Sequence, residues 1–264
     1  MARHWKYESP PTFFGQNDGI SSPVIAENIL YLSDANSHCV RSFSLNGQFL
    51  SRFGAHGCGD DEFDQPCALA WRRERLYVVD WGNDQIKLFS NGHFVESVGS
   101  IGLVSGKLCG PQGICFGAER MYVAERNNSR IQVFDCNSKH RSLFVIKDVT
   151  PFNVAMSPLG LLYMTSCSGC IVLFKGEKRV LTWGKKGTKH GEFSFPAGIS
   201  ITPDHLAYVC DHGNQRVQVF QESGAFVHQW TTRANEATFQ PSGLTFGPEG
   251  ELYVTGEGHI AVYL

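Results

Sequence analysis

The chain has 264 residues, 42% of them hydrophobic, and its 23 Lys and Arg stand against 25 Asp and Glu for a formal net charge of −2. That balance excludes a global attraction to nucleic acid or anionic membrane, so any such binding must come from a local patch. No apolar stretch approaches the roughly 20 residues that span a bilayer. The start, Met1-Ala2-Arg3-His4-Trp5-Lys6-Tyr7-Glu8, lacks the apolar core of a signal peptide. Nine scattered cysteines, an odd number, then read as reduced thiols of a cytoplasmic protein with no membrane partner.

In chain order, Tyr31, Tyr77, Tyr122, Tyr163, Tyr208 and Tyr253 recur at spacings of 46, 45, 41, 45 and 45 residues, each inside a short apolar run such as Leu76-Tyr77-Val78-Val79. Pro66, Pro111, Pro151, Pro196 and Pro241 precede the tyrosines by 11 or 12 residues, and Pro23 by eight. A first strand follows each proline, as in Gly198-Ile199-Ser200-Ile201, and the tyrosine strand is the second. A third alternates apolar and polar residues up to an aromatic, as in Ile131-Gln132-Val133-Phe134. A fourth follows a Gly turn, as in Ala225-Phe226-Val227-His228-Gln229-Trp230. Four short strands per unit, six units and almost no helical periodicity predict an all-β, six-bladed β-propeller of four-stranded antiparallel blades, with strands A to D running outward from the axis.

The expected repeats are 23–65, 66–110, 111–150, 151–195, 196–240 and 241–264, which together form one domain over 1–264. The last repeat has no strand D. Thr12-Phe13-Phe14-Gly15 resembles Ser51-Arg52-Phe53-Gly54, so the segment 1–22 is expected to supply that strand and close the ring.

The anchors resemble the NHL repeat. The fullest copy is Pro196-Ala197-Gly198-Ile199, Tyr208-Val209-Cys210-Asp211 and Asn214-Gln215-Arg216-Val217-Gln218-Val219-Phe220. The copy with Pro111, Tyr122, Glu125, Asn128, Arg130 and Phe134 is close to it. The copy at Pro66 has Gln85 where arginine is usual, Cys39 takes the arginine place in the first, and Ser166 and Gly256 replace the aspartate in the fourth and sixth. Asp34, Asp80, Glu125 and Asp211, with Asn83, Asn128 and Asn214, fall at B–C turns, where short polar side chains bond their own backbone. Arg130 and Arg216 are expected to pair with a neighbouring carboxylate.

On such a scaffold the long D–A loops share a face with the B–C loops, and long loops on a rigid frame carry binding. Loop 54–65 holds Asp60, Asp61, Glu62 and Asp64, whereas loop 184–195 holds Lys185, Lys186, Lys189 and His190. The residues four after each tyrosine include Trp81, Arg126 and His212, and an aromatic beside a guanidinium is a common binding hot spot. These seven side chains, Trp81, Arg126, His212, Lys185, Lys186, Lys189 and His190, are the candidate partner-binding residues.

No metal or cofactor is expected. Cys167-Ser168-Gly169-Cys170 is a lone pair of candidate thiol ligands where a structural zinc site needs four, and His56-Gly57-Cys58 could complete it only if the loops met in space. The inner strands carry no Asp, Glu or His, so a calcium site on the axis lacks its oxygen ligands.

The resemblance is to the C-terminal domain of tripartite-motif NHL proteins. It implies a non-catalytic, monomeric recognition domain that binds a protein or peptide, as the substrate-recognition part of a ubiquitin ligase. No RING is present, so ligase activity is not expected of this chain alone. Two alternatives remain open. One is single-stranded RNA binding on the same face. The other is a zinc enzyme like the peptidyl-hydroxyglycine lyases, whose histidine set would draw on His38, His212 and His259.

Overall fold

The computed structural model describes residues 3–6 (as backbone), 22–147, 149–234 and 237–264. Six four-stranded antiparallel sheets follow one another around a ring. Blade 1 consists of Pro23–Ala26, Ile29–Asp34, Cys39–Ser44 and Phe49–Phe53. Blade 2 consists of Pro66–Arg72, Arg75–Asp80, Gln85–Ser90 and His93–Val98. Blade 3 has Pro111–Gly117, Arg120–Glu125, Arg130–Asp135 and Arg141–Ile146. Blade 4 has Pro151–Met156, Leu162–Ser166, Cys170–Lys175 and Lys178–Trp183. Blade 5 has Pro196–Ile201, Ala207–Asp211, Arg216–Phe220 and Phe226–Thr231. Blade 6 has Gly243–Phe246, Leu252–Gly256 and His259–Tyr263, with Arg3–Lys6 as its outer strand. The family fold expected from the tyrosine spacing is the fold observed.

The closing strand comes from the expected segment 1–22. Arg3 lies opposite Val262 and Lys6 opposite His259, so the pairing uses residues 3–6, while Thr12-Phe13-Phe14-Gly15 lies outside the described residues. Pro10 and Pro11, just before that segment, offer no N–H to a ladder. Arg3-His4-Trp5-Lys6 has a donor at every position.

Apolar burial is distributed around the ring, with one cluster at each blade interface. Val79, Leu88, Ile114 and Val123 meet between blades 2 and 3, and Val133, Val154 and Met164 between blades 3 and 4. Tyr163 and Val209 join blades 4 and 5, and Cys210 and Val254 join blades 5 and 6. Leu32 with Ile260 closes the ring between blades 6 and 1, and Val40 with Val78 joins blades 1 and 2. Truncating one such side chain, as in Phe134→Ala, costs about 3–5 kcal/mol.

The aromatic that ends strand C has a geometric role. In blades 1 to 5 the C–D register shifts at Phe43, Phe89, Phe134, Phe174 and Phe220. A bulge there bends the outer strand and increases the twist that fans each blade.

The inner strands converge on a channel lined by Val24, Ala70, Cys115, Ala155 and Ser200, with no carboxylate or imidazole among its lining residues. They approach most closely at the glycine two after the proline. A Cβ on Gly113 would sit 2.8 Å from Asn153 Cα, and one on Gly198 would sit 2.8 Å from Gly243 Cα.

Candidate functional site

Three D–A loops, 54–65, 99–110 and 184–195, share one backbone design. In each, the second glycine bonds back across the loop: the amides of Gly57, Gly102 and Gly187 donate to the carbonyls of Phe63, Leu108 and Phe193. Those three side chains are fully buried beneath the loop.

The following blade holds the loop down with a buried acid and a buried cation. In blade 3, Glu125 accepts from the Cys109 amide at 3.0 Å and from Arg130 Nε at 2.7 Å. Arg130 then donates to the carbonyls of Leu103, Val104 and Lys107 at 2.7, 3.2 and 2.8 Å. In blade 5, Asp211 accepts from the Ser194 amide and from Arg216 Nε, both at 2.7 Å, and Arg216 reaches the carbonyls of Lys189 and Glu192, both at 2.8 Å. Asn128 and Asn214 add bonds to the Gly102 and Gly187 carbonyls. A buried ion pair is tolerable only when its remaining donors find partners; here the loop carbonyls supply them.

Blade 2 does the same with the polar residues exchanged. Blades 3 and 5 read Arg-x-Gln at the start of strand C, whereas blade 2 reads Gln85-x-Lys87. Lys87 lies 3.2 Å from Asp80 and donates to the carbonyls of Gly59 (2.6 Å) and Glu62. Residues i and i+2 of a strand share a face, so the cation reaches the same two loop carbonyls from either position. Blade 1 also uses the later position, with Arg41 Nε 2.8 Å from Asp34. The expected arginine–carboxylate pairing is therefore present, and Cys39 and Gln85 are replaced two residues on. Burial pushes the Asp80 and Glu125 carboxyls up from their ordinary values, while their amide, asparagine and cation partners pull them back.

Blades 4 and 6 have Ser166 and Gly256 in place of the acid, and neither follows a loop of this design. The loop before blade 4 is the short segment 147–150. The connection before blade 6 carries its own two-residue ladder, Arg233–Ala234 with Ala237–Thr238. Blades 4 and 6, which lack the acid, thus have no such loop to hold.

The anchors are backbone groups, which leaves the loop side chains free to differ. Loop 54–65 presents Asp60 and Asp61, and loop 184–195 presents Lys185, Lys186, Lys189 and His190, all exposed. Lys185 is 3.4 Å from Glu192, whose carboxyl is pulled down by the Lys189 amide and by Lys185. His190 stacks on Phe226 at 4.7 Å. Loop 99–110 shows what sequence reasoning missed: Ile101, Leu103 and Val104 are 70%, 71% and 64% exposed. Gly110 ties this loop to both neighbouring B–C turns, its amide donating to Asp84 at 2.7 Å and its carbonyl accepting from the Arg126 amide at 3.0 Å.

Trp81 and Arg126 belong to these two turns, at the Gly110 end of the loop. Trp81 is half-buried against the cluster between blades 2 and 3, and Arg126 is exposed. His212 is buried, with its ring against Phe195 and Nδ1 3.3 Å from the Pro241 carbonyl. Cys167 and Cys170 pack against different clusters, that joining blades 5 and 6 and that joining blades 3 and 4. His38, His212 and His259 are not brought together. His38 instead meets His56 and Asp64.

Comparison with known proteins agrees with this architecture. The NHL repeat family model matches residues 108–134 and 193–220, the two stretches that carry the Arg-x-Gln form of the anchor. The chain is 41% identical over 56 residues, 21% of its length, to RING finger protein nhl-1 of Caenorhabditis elegans, and spans 6% of that protein. It is 23% identical over 125 residues, 45% of its length, to human NHL repeat-containing protein 3, and spans 35% of it. A streptogramin B lyase structure superposes with a TM-score of 0.69 over 99% of this chain and 96% of that one, at 13% identity, a likeness of fold alone. No helix is long and apolar enough to cross a membrane among the described residues. The chain is a six-bladed β-propeller that carries NHL repeats at residues 108–134 and 193–220.

Proposed function

We propose that the chain is a non-catalytic recognition domain that binds a protein or peptide on the face shared by its D–A and B–C loops. The observation that carries this is the exposed Ile101, Leu103 and Val104, held on a loop whose Gly110 end is bonded to the B–C turns that carry Trp81 and Arg126. Contiguous exposed apolar side chains mark interaction sites, and the same face adds an aromatic and an arginine, residue types enriched in binding hot spots. A role as the substrate-recognition part of a ubiquitin ligase fits the name of the RING finger relative.

The acidic loop 54–65 on the same face opposes an RNA strand crossing it. The test is affinity purification on the immobilised protein with and without nuclease, using Leu103→Asp and the triple Lys185, Lys186 and Lys189→Glu variant beside the wild type. Recognition of a protein predicts capture that survives nuclease and is lost in Leu103→Asp. Capture abolished by nuclease and by the triple variant, but kept in Leu103→Asp, would establish RNA binding instead.

A further inference from the structure

His38, at the B–C turn of blade 1, is brought against the two ends of loop 54–65. The loop is closed by a bridge between His56 and Phe63 and by the bond from the Phe63 amide to the Ala55 carbonyl, which places His56 beside Asp64. Asp80 accepts from the Asp64 amide at 2.7 Å, so the buried pair beneath the loop also fixes this corner. The second carboxylate oxygen of Asp64 lies against Gly82, where a Cβ would sit 2.3 Å from it. Its first oxygen is thereby turned toward the two imidazoles.

The spacing of these atoms is informative. Asp64 Oδ1 lies 3.5 Å from His38 Nδ1 and 3.7 Å from His56 Nε2, and the three ligand atoms lie within 4.8 Å of one another. These separations are too long for hydrogen bonds. An ion with bonds of about 2.0–2.1 Å in tetrahedral directions keeps its ligand atoms roughly 3.3–3.4 Å apart. The two distances to Asp64 need a shift of only a few tenths of an ångström, and the two imidazole nitrogens, within 4.8 Å of each other, close the rest by rotation of the exposed His56 side chain.

The geometry points to a divalent transition-metal site at His38, His56 and Asp64, of the zinc class, with one coordination position open to solvent. Two imidazoles and one carboxylate suit zinc and its neighbours, whereas calcium and magnesium take oxygen. The Gln65 amide donates to His38 Nδ1 at 3.2 Å. That nitrogen therefore carries a lone pair rather than a proton, the form a metal needs, and gives up one long hydrogen bond on binding. The His56 side chain is 69% exposed and the His38 side chain 23%, so the ion can enter from the loop face and its fourth ligand can come from water or from a bound partner. The site would join blade 1 to the loop that covers blade 2, independently of the apolar patch.

The test is calorimetric titration of zinc chloride into the full chain carrying no histidine tag and stripped with chelator, with calcium chloride as the oxygen-donor control. His56→Ala removes one exposed ligand without touching the core, and Asp64→Asn removes the carboxylate. The expected result is one zinc per chain, no heat from calcium, and affinity at least about tenfold weaker in either variant, where an outer-sphere change alone moves affinity by about 10–100-fold. A Cys167→Ser, Cys170→Ser double variant should bind as the wild type does. No stoichiometric binding, binding unchanged in His56→Ala, or binding lost in the double cysteine variant would each overturn the assignment.

Discussion

Loop 99–110 and loop 184–195 are held by the same atoms and show the solvent different surfaces. Each gives two matching carbonyls to a buried arginine, to which loop 99–110 adds that of Leu103, and each gives one amide to a buried acid and one carbonyl to an asparagine. At matching positions one then exposes Ile101 and Val104 and the other Lys186 and Lys189. Because the anchors are backbone groups, the fold places almost no demand on those side chains. A propeller can keep one loop frame and change the chemistry of its face loop by loop.

Removing the acid under either loop is the most forceful way to break this equivalence. Glu125→Ala leaves Arg130 buried without its counter-charge, and Asp211→Ala does the same to Arg216. Each is expected to cost about 3–5 kcal/mol, read from denaturant midpoints. A loss below about 1 kcal/mol at one loop would show that the two are not held alike. Next in size is the glycine that opens each loop. Gly99 and Gly184 have φ of +85° and +82°, and a Cβ would lie 2.5 Å from Leu108 and 2.6 Å from Phe193. Valine at either position should cost about 1–3 kcal/mol, and by similar amounts if the frames are the same.

The presenting positions should behave oppositely. Leu103→Asp should weaken partner binding by about 2 kcal/mol, and Thr188→Asp, its match in the basic loop, should leave it nearly unchanged. Equal losses would mean that the apolar loop is not the anchor. The anchor's tolerance of order is a finer test. Gln85→Arg combined with Lys87→Gln rewrites blade 2 in the form of blades 3 and 5 and should shift stability by less than about 1 kcal/mol, in the range usual for isosteric changes that keep a network satisfied. A much larger loss would show that the position of the cation matters.

The smallest effect is chemical. Cys58 sits at an exposed loop position, and Cys109 at an anchoring one where burial, with Asp84 and Glu125, pushes its thiol up. Burial pushes Cys67 up to about 12. Maleimide at neutral pH should therefore label Cys58 first, Cys109 slowly and Cys67 only on unfolding. A thiol whose folded value is raised stabilises the fold below its ordinary titration range. That contribution fades as pH climbs toward 12, so Cys67 should add to alkaline unfolding. Rapid labelling of Cys67 in the native protein would contradict its place in the core.

The architecture was legible because each repeat is a local pattern: a tyrosine in a strand, a proline before it, an aromatic after it. The carboxylates and asparagines of the B–C turns were legible for the same reason. The cations of blades 1 and 2 were harder. Arg41 and Lys87 stand two residues past the expected place, and only the two-residue period of a strand shows that they share its face. Ile101, Leu103 and Val104 stood outside every repeat anchor, and an apolar run does not announce whether it lies under a loop or on top of it. The meeting of His38 with His56 and Asp64 depends on how a turn in one blade abuts the loop serving the next, which no spacing along the chain encodes. The closing strand was legible only as coming from segment 1–22, and residues 3–6 of it make the pairing.

Blade 6 joins the outer strand Arg3–Lys6 to the strand His259–Tyr263, with Arg3 opposite Val262. Handles fixed near residue 3 and residue 263 would pull at the same end of this pair. The bonds of an antiparallel ladder run across the strands, so such a load would open them one after another, as a zipper opens, without shearing them together. The ring should therefore be mechanically soft at this seam and stiff elsewhere. Stretching between two points inside blades 3 and 5 should need a larger force than stretching across blade 6.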